Sequence, residues 1–418
     1  MEKYFNTVQI HVVFLIKECI KSNKIKMKIQ IGRTGLWIIG PMMCALLVLL
    51  SFSSCKHDDA VFNPTPYTIE VPKYFPTQMN IPADNPMTVE GVELGRYLFY
   101  DGRMSGNTET DKMMSCGTCH LQSRSFECGI DHPKFVGGHP FGITGILTPH
   151  YMLPMINLVW NESGYFWSGS ISKDNPDVTQ RTLEDIVRMG VTAPHEMAGD
   201  TNKTKALIQS IAGYPELFEK AFGSHTVTFR NISKAVAQFV RILISSDSKF
   251  DKYMRGEQQL STQELNGYVL FMTEEGADCF HCHGGAGNPL FTTNLFYNNG
   301  KDSAFNDTRD RFSVTGDPKD HGAYKATTLR NIELTGPYMH DGRFKTLEEV
   351  IDFYSEGVIW TPNVHPLMHH AYDGGIQLTP NEKADLIAFI KTLRDETFLT
   401  NPAFSAPSKL PDGAKPIQ

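Results

Sequence analysis

Two five-residue stretches constrain the chain more than anything else in it: Cys116-Gly117-Thr118-Cys119-His120 and Cys279-Phe280-His281-Cys282-His283. Two thiols three residues apart lie on one side of a helical turn, where both can add to the vinyl groups of a single porphyrin. The histidine that follows then reaches the iron as its proximal ligand. A zinc site would draw both cysteine pairs into one small module, and here they stand far apart. A thioredoxin-like redox motif has no use for the following histidine in both copies. The pattern is that of two covalently attached c-type haems, one on Cys116, Cys119 and His120, the other on Cys279, Cys282 and His283.

The 418 residues, 41% hydrophobic and 20% charged, describe a globular protein with room for two domains. A net charge of −7 argues against a nucleic-acid partner, which needs a basic face, and would suit a basic redox partner. Eight cysteines are too few for a disulfide scaffold at this length; outside the two motifs only Cys19, Cys44, Cys55 and Cys128 remain. No stretch after Cys55 is long and apolar enough to span a membrane.

Residues 36–52 form an apolar run preceded by Lys28 and Arg33, and Ser53-Ser54 lead straight to Cys55. A basic start, an apolar centre and small residues before the break are the parts of an export signal. Small residues immediately before a cysteine resemble a bacterial lipobox. Cys55 would then be the lipidated first residue of the mature chain, its acyl chains anchoring a soluble body to a membrane surface. The other reading is an uncleaved transmembrane anchor. Both put the body outside the cytoplasm, in the periplasm or outer cell envelope, where c-type haem is attached. The signal is complete from Met27, which suggests translation starts there.

The expected organisation is an export signal over 1–55, a tether over 56–87 rich in Pro, Asn, Asp and Thr, and two haem domains over 88–255 and 256–418. Each domain opens on a helix. Leu94, Leu98 and Phe99 mark one face of the first. Ser261-Thr262-Gln263-Glu264 is a capping box for the second. A shared Gly-Arg/Tyr-x-Leu-Phe pattern before each haem motif suggests an internal duplication. An apolar helical segment runs from Ile232 to Ile244, and Phe250-Asp251-Lys252-Tyr253 closes the first half. Thr379 and Pro380 cap a last helix whose core stripe is Leu386, Phe389, Ile390 and Leu393. With no run of alternating strands, the fold is mainly α, as two tandem cytochrome c-like haem domains.

From about Leu94 to Leu393 the chain resembles the bacterial dihaem cytochrome c peroxidases, and within them the MauG-like branch. Leu94–Ser105 is similar to the family's opening helix and loop. Asn157–Asn161 with Phe166-Trp167-Ser168-Gly169 is similar to its segment carrying a tryptophan between the haems. Thr327–Gly342, continuing through Thr346-Leu347-Glu348 to Tyr354, is similar to its most recognisable stretch.

The resemblance implies unequal haems: the N-terminal one takes hydrogen peroxide, and the C-terminal one relays electrons from a small redox protein or a quinol-linked donor. Peroxide needs an acid/base beside it. Alignment from Trp167, with an insertion near Asp174–Val178, puts Glu196 on the family's distal glutamate; the plain alternative is an exposed loop carboxylate. His195 stands beside it as a supporting group. Trp167 matches the relay position, although a large aromatic is more often packing, and Trp160 keeps the packing role. Eight residues past Thr346, where classical members carry Met, this chain has Tyr354, as in MauG-like proteins. A phenolate is a hard donor that favours oxidised iron. Met339 and Met368 are the alternative ligands. Thr335 and Pro337 match positions whose backbone carbonyls hold a calcium between the domains.

The chain departs from the family at two points. Ile186 stands where relatives carry a distal Gln, and the family's calcium-binding Asn falls near Tyr151. Cys128 is either a buried small hydrophobe or an oxidation-prone thiol. Beside the peroxidase reading stand a MauG-like oxidase acting on a partner protein and a non-catalytic dihaem electron carrier.

Overall fold

In both halves of the molecule the helix before the haem motif crosses a second helix at a glycine. The first half holds α1 (Val89–Phe99), α2 (Leu183–Thr192), α3 (Thr201–Ser210), α4 (Tyr214–Phe222) and α5 (Phe229–Arg241). The second holds α6 (Lys249–Met254), α7 (Thr262–Phe271), α8 (Phe280–His283), α9 (Phe312–Thr315), α10 (Leu347–Glu356), α11 (Pro380–Lys391) and α12 (Glu396–Thr400). The computed structural model describes residues 62–175, 182–285 and 287–418. The export signal, Cys55 and residues 56–61 at the start of the tether lie outside the described residues, as does part of the insertion near Asp174–Val178.

A methyl group on Gly95 of α1 would lie 1.9 Å from the Ala235 carbonyl oxygen of α5. One on Gly267 of α7 would lie 1.9 Å from the Asp385 carbonyl oxygen of α11. The repeated glycine therefore marks a backbone-to-backbone approach that no side chain permits, and it recurs because both halves use the same helix pair. Thr88 caps α1 by accepting from the Gly91 N–H at 3.0 Å. Ser261 and Thr379 cap α7 and α11 in full capping boxes. Leu94, Leu98, Phe99 and Phe239 lie in one apolar core, and Phe250, Phe271, Phe291 and Phe389 in the other. Among the described residues the strands form two antiparallel ribbons of two residues per strand, β1 (Phe135–Val136) with β2 (His139–Pro140) and β3 (Phe296–Tyr297) with β4 (Tyr324–Lys325). The molecule is mainly helical.

Long-range polar bonds tie distant segments together, both within the second half and between the halves. Arg330, fully buried, holds Asp251 through two bonds of 2.8 and 2.7 Å. The tail after α11 returns to the first half: Phe398 and Phe404 enter its core, Tyr100 donates to the Phe404 carbonyl at 2.7 Å, and the Ile417 N–H reaches the Tyr100 carbonyl at 3.0 Å. At the other end Phe75 packs on Trp160 with ring centroids 5.2 Å apart, and the Trp160 indole donates to the Pro76 carbonyl at 2.8 Å. Among the described residues no helix is long and apolar enough to cross a membrane.

Candidate active site

Each haem motif opens into a largely apolar cavity. Cys116 and Cys119 come from a short 3₁₀ turn capped by Ser115, and with His120 they line a cavity of about 590 Å³. Cys279, Cys282 and His283, on and beside α8, line one of about 210 Å³. His120 Nδ1 is 2.7 Å from the Phe126 carbonyl oxygen, and His283 Nδ1 is 3.0 Å from that of Thr327. A ring held this way through Nδ1–H keeps its Nε2 lone pair for a metal, which is how a proximal histidine is oriented. Two thiols, one such imidazole and an apolar wall fit a covalent haem in each cavity.

Glu196, in the turn after α2, is the one carboxylate among the described residues that lines the larger cavity. Its side chain is 37% accessible, yet the apolar wall strips enough water from the carboxyl to push it up to about 7. His195 Nε2 stands 3.8 Å from Glu196 Oε1, and burial lowers that imidazole's pKa. Ile186 is part of the same wall and brings no hydrogen-bonding group to it.

Trp167 lines both cavities. Its indole N–H donates to the Tyr151 carbonyl at 2.7 Å and its own carbonyl accepts from the Lys325 N–H at 2.8 Å, so the ring is clamped from both halves. Next to it His340 stacks on Tyr324, with centroids 3.6 Å apart. The Tyr324 hydroxyl donates to Asp307 Oδ2 at 2.7 Å, and His150 Nε2 is 2.6 Å from that same oxygen.

Tyr354, on α10, lines the smaller cavity together with Met339 and Met368. Its hydroxyl accepts from Asn299 Nδ2 at 3.0 Å, and burial raises the phenol above its ordinary range. A phenolate at this position therefore needs a cation against it. Thr335 is buried. Between it and Pro337, the Gly336 carbonyl oxygen lies 3.1 Å from the Tyr151 hydroxyl, which is also 2.9 Å from Glu127 Oε2. Glu127 is 2% exposed, and desolvation raises its carboxyl well above the usual range. Carbonyl, phenol and carboxyl oxygens are hard donors of the kind calcium takes. Cys128 is 1% exposed and unpaired, its thiol pushed up to about 12 by burial, which makes it inert.

Sequence reasoning missed Lys325. It is buried, lines both cavities and donates from Nζ to the Asn294 carbonyl at 3.0 Å; burial, with Arg311 nearby, brings its pKa down to about 7. It also missed Glu127 and Asn299. None of the three lies in a motif; the nearest signal is that Lys325 stands two residues before the Thr327–Gly342 stretch.

A family model described as di-haem cytochrome c peroxidase matches residues 89–259. Cytochrome c551 peroxidase of Nitrosomonas europaea is 32% identical over 321 residues, covering 75% of this chain and 82% of that one. The chain belongs to the dihaem cytochrome c peroxidase and MauG family. Methylamine utilization protein MauG of Methylorubrum extorquens is 31% identical over 323 residues, 77% of this chain and 83% of that one. Among solved structures, a MauG-like protein associated with microbial copper homeostasis superposes with a TM-score of 0.70 at 36% identity, over 82% of this chain and all of that one. As a member of this family of oxidoreductases the chain is a dihaem protein, with two covalently bound c-type haems in two cytochrome c-like domains.

Proposed function

We propose that this protein reduces hydrogen peroxide at its N-terminal haem, with electrons relayed through its C-terminal haem. The observation that carries the reading is Glu196, the lone carboxylate among the described residues in the wall of the first cavity, with its carboxyl near 7. When bound, the haems supply the redox chemistry, one iron taking peroxide and the other exchanging electrons. Glu196 accepts the first proton of peroxide on a carboxylate oxygen and returns it to the oxygen that leaves as water. Trp167, shared by both cavities and fixed at both its N–H and its carbonyl, is the relay between them. His120 and His283 would hold the two irons, and Tyr354 would offer its phenol oxygen to the second. The test is the ferric spectrum. A high-spin component and a Soret change on adding stoichiometric peroxide support the reading. Two low-spin haems indifferent to peroxide would sink it and leave a dihaem electron carrier.

Tyr354 in the second cavity favours the MauG-like form of this chemistry, in which the oxidising power is passed to a partner protein's aromatic side chains. The electron donor of the peroxidase form is a small redox protein or a quinol-linked carrier. The body works in the periplasm or outer envelope, anchored through a lipid on Cys55; absence of radiolabelled lipid from the purified protein would refute the anchor. The carbonyls of Thr335 and Pro337 would hold a calcium ion, with Glu127 the buried carboxyl nearby. A chelator that leaves thermal stability unchanged would dismiss it.

A further inference from the structure

On the rim of the C-terminal cavity converge three side chains that haem attachment leaves unused. Asp278 precedes the first thiol of the motif, His281 lies between the two thiols, and His369 arrives on the loop after α10. His281 Nδ1 is 2.5 Å from Asp278 Oδ1, and His369 Nδ1 is 3.1 Å from Asp278 Oδ2. The two imidazoles meet edge to face with centroids 5.3 Å apart. One carboxylate thus takes an imidazole on each of its oxygens, and the donor atoms of all three residues lie within 4.8 Å of one another.

The Asp278 side chain is 8% accessible, and its ion partners among the described residues are those two imidazoles, with no lysine or arginine. A carboxylate so nearly buried wants a cation. Glu274 Oε1 stands 3.5 Å from His281 Nε2, the outer-carboxylate arrangement that orients a ligating ring and turns its other nitrogen inward. His369 and Glu274, 40% and 60% accessible, leave the cluster open to solvent.

We propose that Asp278, His281 and His369 bind one divalent transition-metal ion, with water completing its shell. Two imidazoles and a carboxylate suit copper(II), nickel(II) or zinc(II), whereas calcium and magnesium take oxygen sets. The Irving–Williams order makes copper(II) the tightest of the three. Asp278 and His369 also line the C-terminal cavity, so the ion's charge lies beside the second haem and raises its reduction potential.

The test uses untagged dihaem protein, stripped by a chelator and titrated with copper(II) and separately with zinc(II). One copper(II) per chain, with electron paramagnetic resonance showing coupling to two imidazole nitrogens, and an upward shift in the potential of the C-terminal haem alone are expected. Glu274→Gln should weaken binding by about tenfold or more while both haem spectra stay as they were. His369→Ala should weaken it further. No stoichiometric ion in the wild type, or affinity within twofold of wild type in both variants, overturns the site. Should His369→Ala fail to retain its haems, Glu274→Gln decides alone, because that side chain is exposed and outside the three ligands.

Discussion

The Tyr354 hydroxyl accepts a hydrogen bond from Asn299 Nδ2 at 3.0 Å, and that same nitrogen is 3.7 Å from the Met339 sulfur. One amide therefore donates to two of the rival donors to the second iron, Tyr354 and Met339. Tyr354→Met should raise the reduction potential of the C-terminal haem, since a thioether favours ferrous iron where a phenolate favours ferric. Tyr354→Phe should leave that site open or water-filled. Spectroelectrochemistry and the low-spin ferric signal read both changes. An unaltered signal in either variant removes Tyr354 as the ligand and turns attention to Met339 and Met368.

For Glu196 the pH profile is the readout. Desolvation raises its carboxyl to about 7, so below that value the group is protonated and cannot take the first proton from peroxide. Peroxide consumption should rise with pH through about 7 in the wild type. Glu196→Gln should remove that transition and slow the reaction on the order of 10²–10⁴-fold, with both haems still attached. A variant with wild-type rate and profile would return Glu196 to an ordinary loop carboxylate.

Replacing Trp167 with Phe should slow electron transfer between the haems, measured by stopped-flow absorbance after reducing one of them. The lost indole N–H bond leaves the Tyr151 carbonyl short of a donor, at a cost of about 1–3 kcal/mol in stability. Trp160→Phe, which only loses its bond to the Pro76 carbonyl, should lower stability and leave the transfer rate alone. Equal rates in all three proteins would assign Trp167 to packing.

Asp251 and Arg330 make a buried two-bond pair between α6 and a distant loop of the same half. Asp251→Ala leaves the Arg330 guanidinium buried and uncompensated, which should cost about 3–5 kcal/mol in urea unfolding. Burial alone would raise the Asp251 carboxyl, but the bonds from Arg330 and Ser248 outweigh it and hold the group below its ordinary range. The pair's stabilisation is therefore complete above the unfolded-state pKa and fades as pH falls through the lower folded one. The variant should lose that acid-side dependence.

Gly267→Ala should fail by geometry, because its methyl would sit 1.9 Å from the Asp385 carbonyl oxygen of α11. Separating α7 from α11 should cost about 1–3 kcal/mol or more and lower the yield of protein carrying both haems. Circular dichroism melting measures it, with Leu265→Ala, at an exposed position on the same helix, as the control.

Much of this protein is legible in its sequence because the information is local. Each haem attachment is written in five consecutive residues. Ser261 and Thr379 announce helix starts through side chains that bond the backbone three residues on, and the repeated Gly-Arg/Tyr-x-Leu-Phe pattern suggests a duplication; that its two glycines sit at helix crossings only the fold reveals. The walls of the cavities are a different matter. Glu196 is far in sequence from His120, and only the apolar surroundings assembled from several segments push its carboxyl toward 7. Lys325 meets both cavities, Asn299 meets Tyr354, Glu127 meets Tyr151, and His369 meets the haem motif across long spans of chain. Phe404 and Ile417 in the tail return to a helix and loop that begin the first domain. These meetings depend on how two helical cores pack, and packing is a collective property: desolvation and hydrogen-bond partners belong to the neighbours a residue acquires in the fold, and a linear pattern carries no record of them.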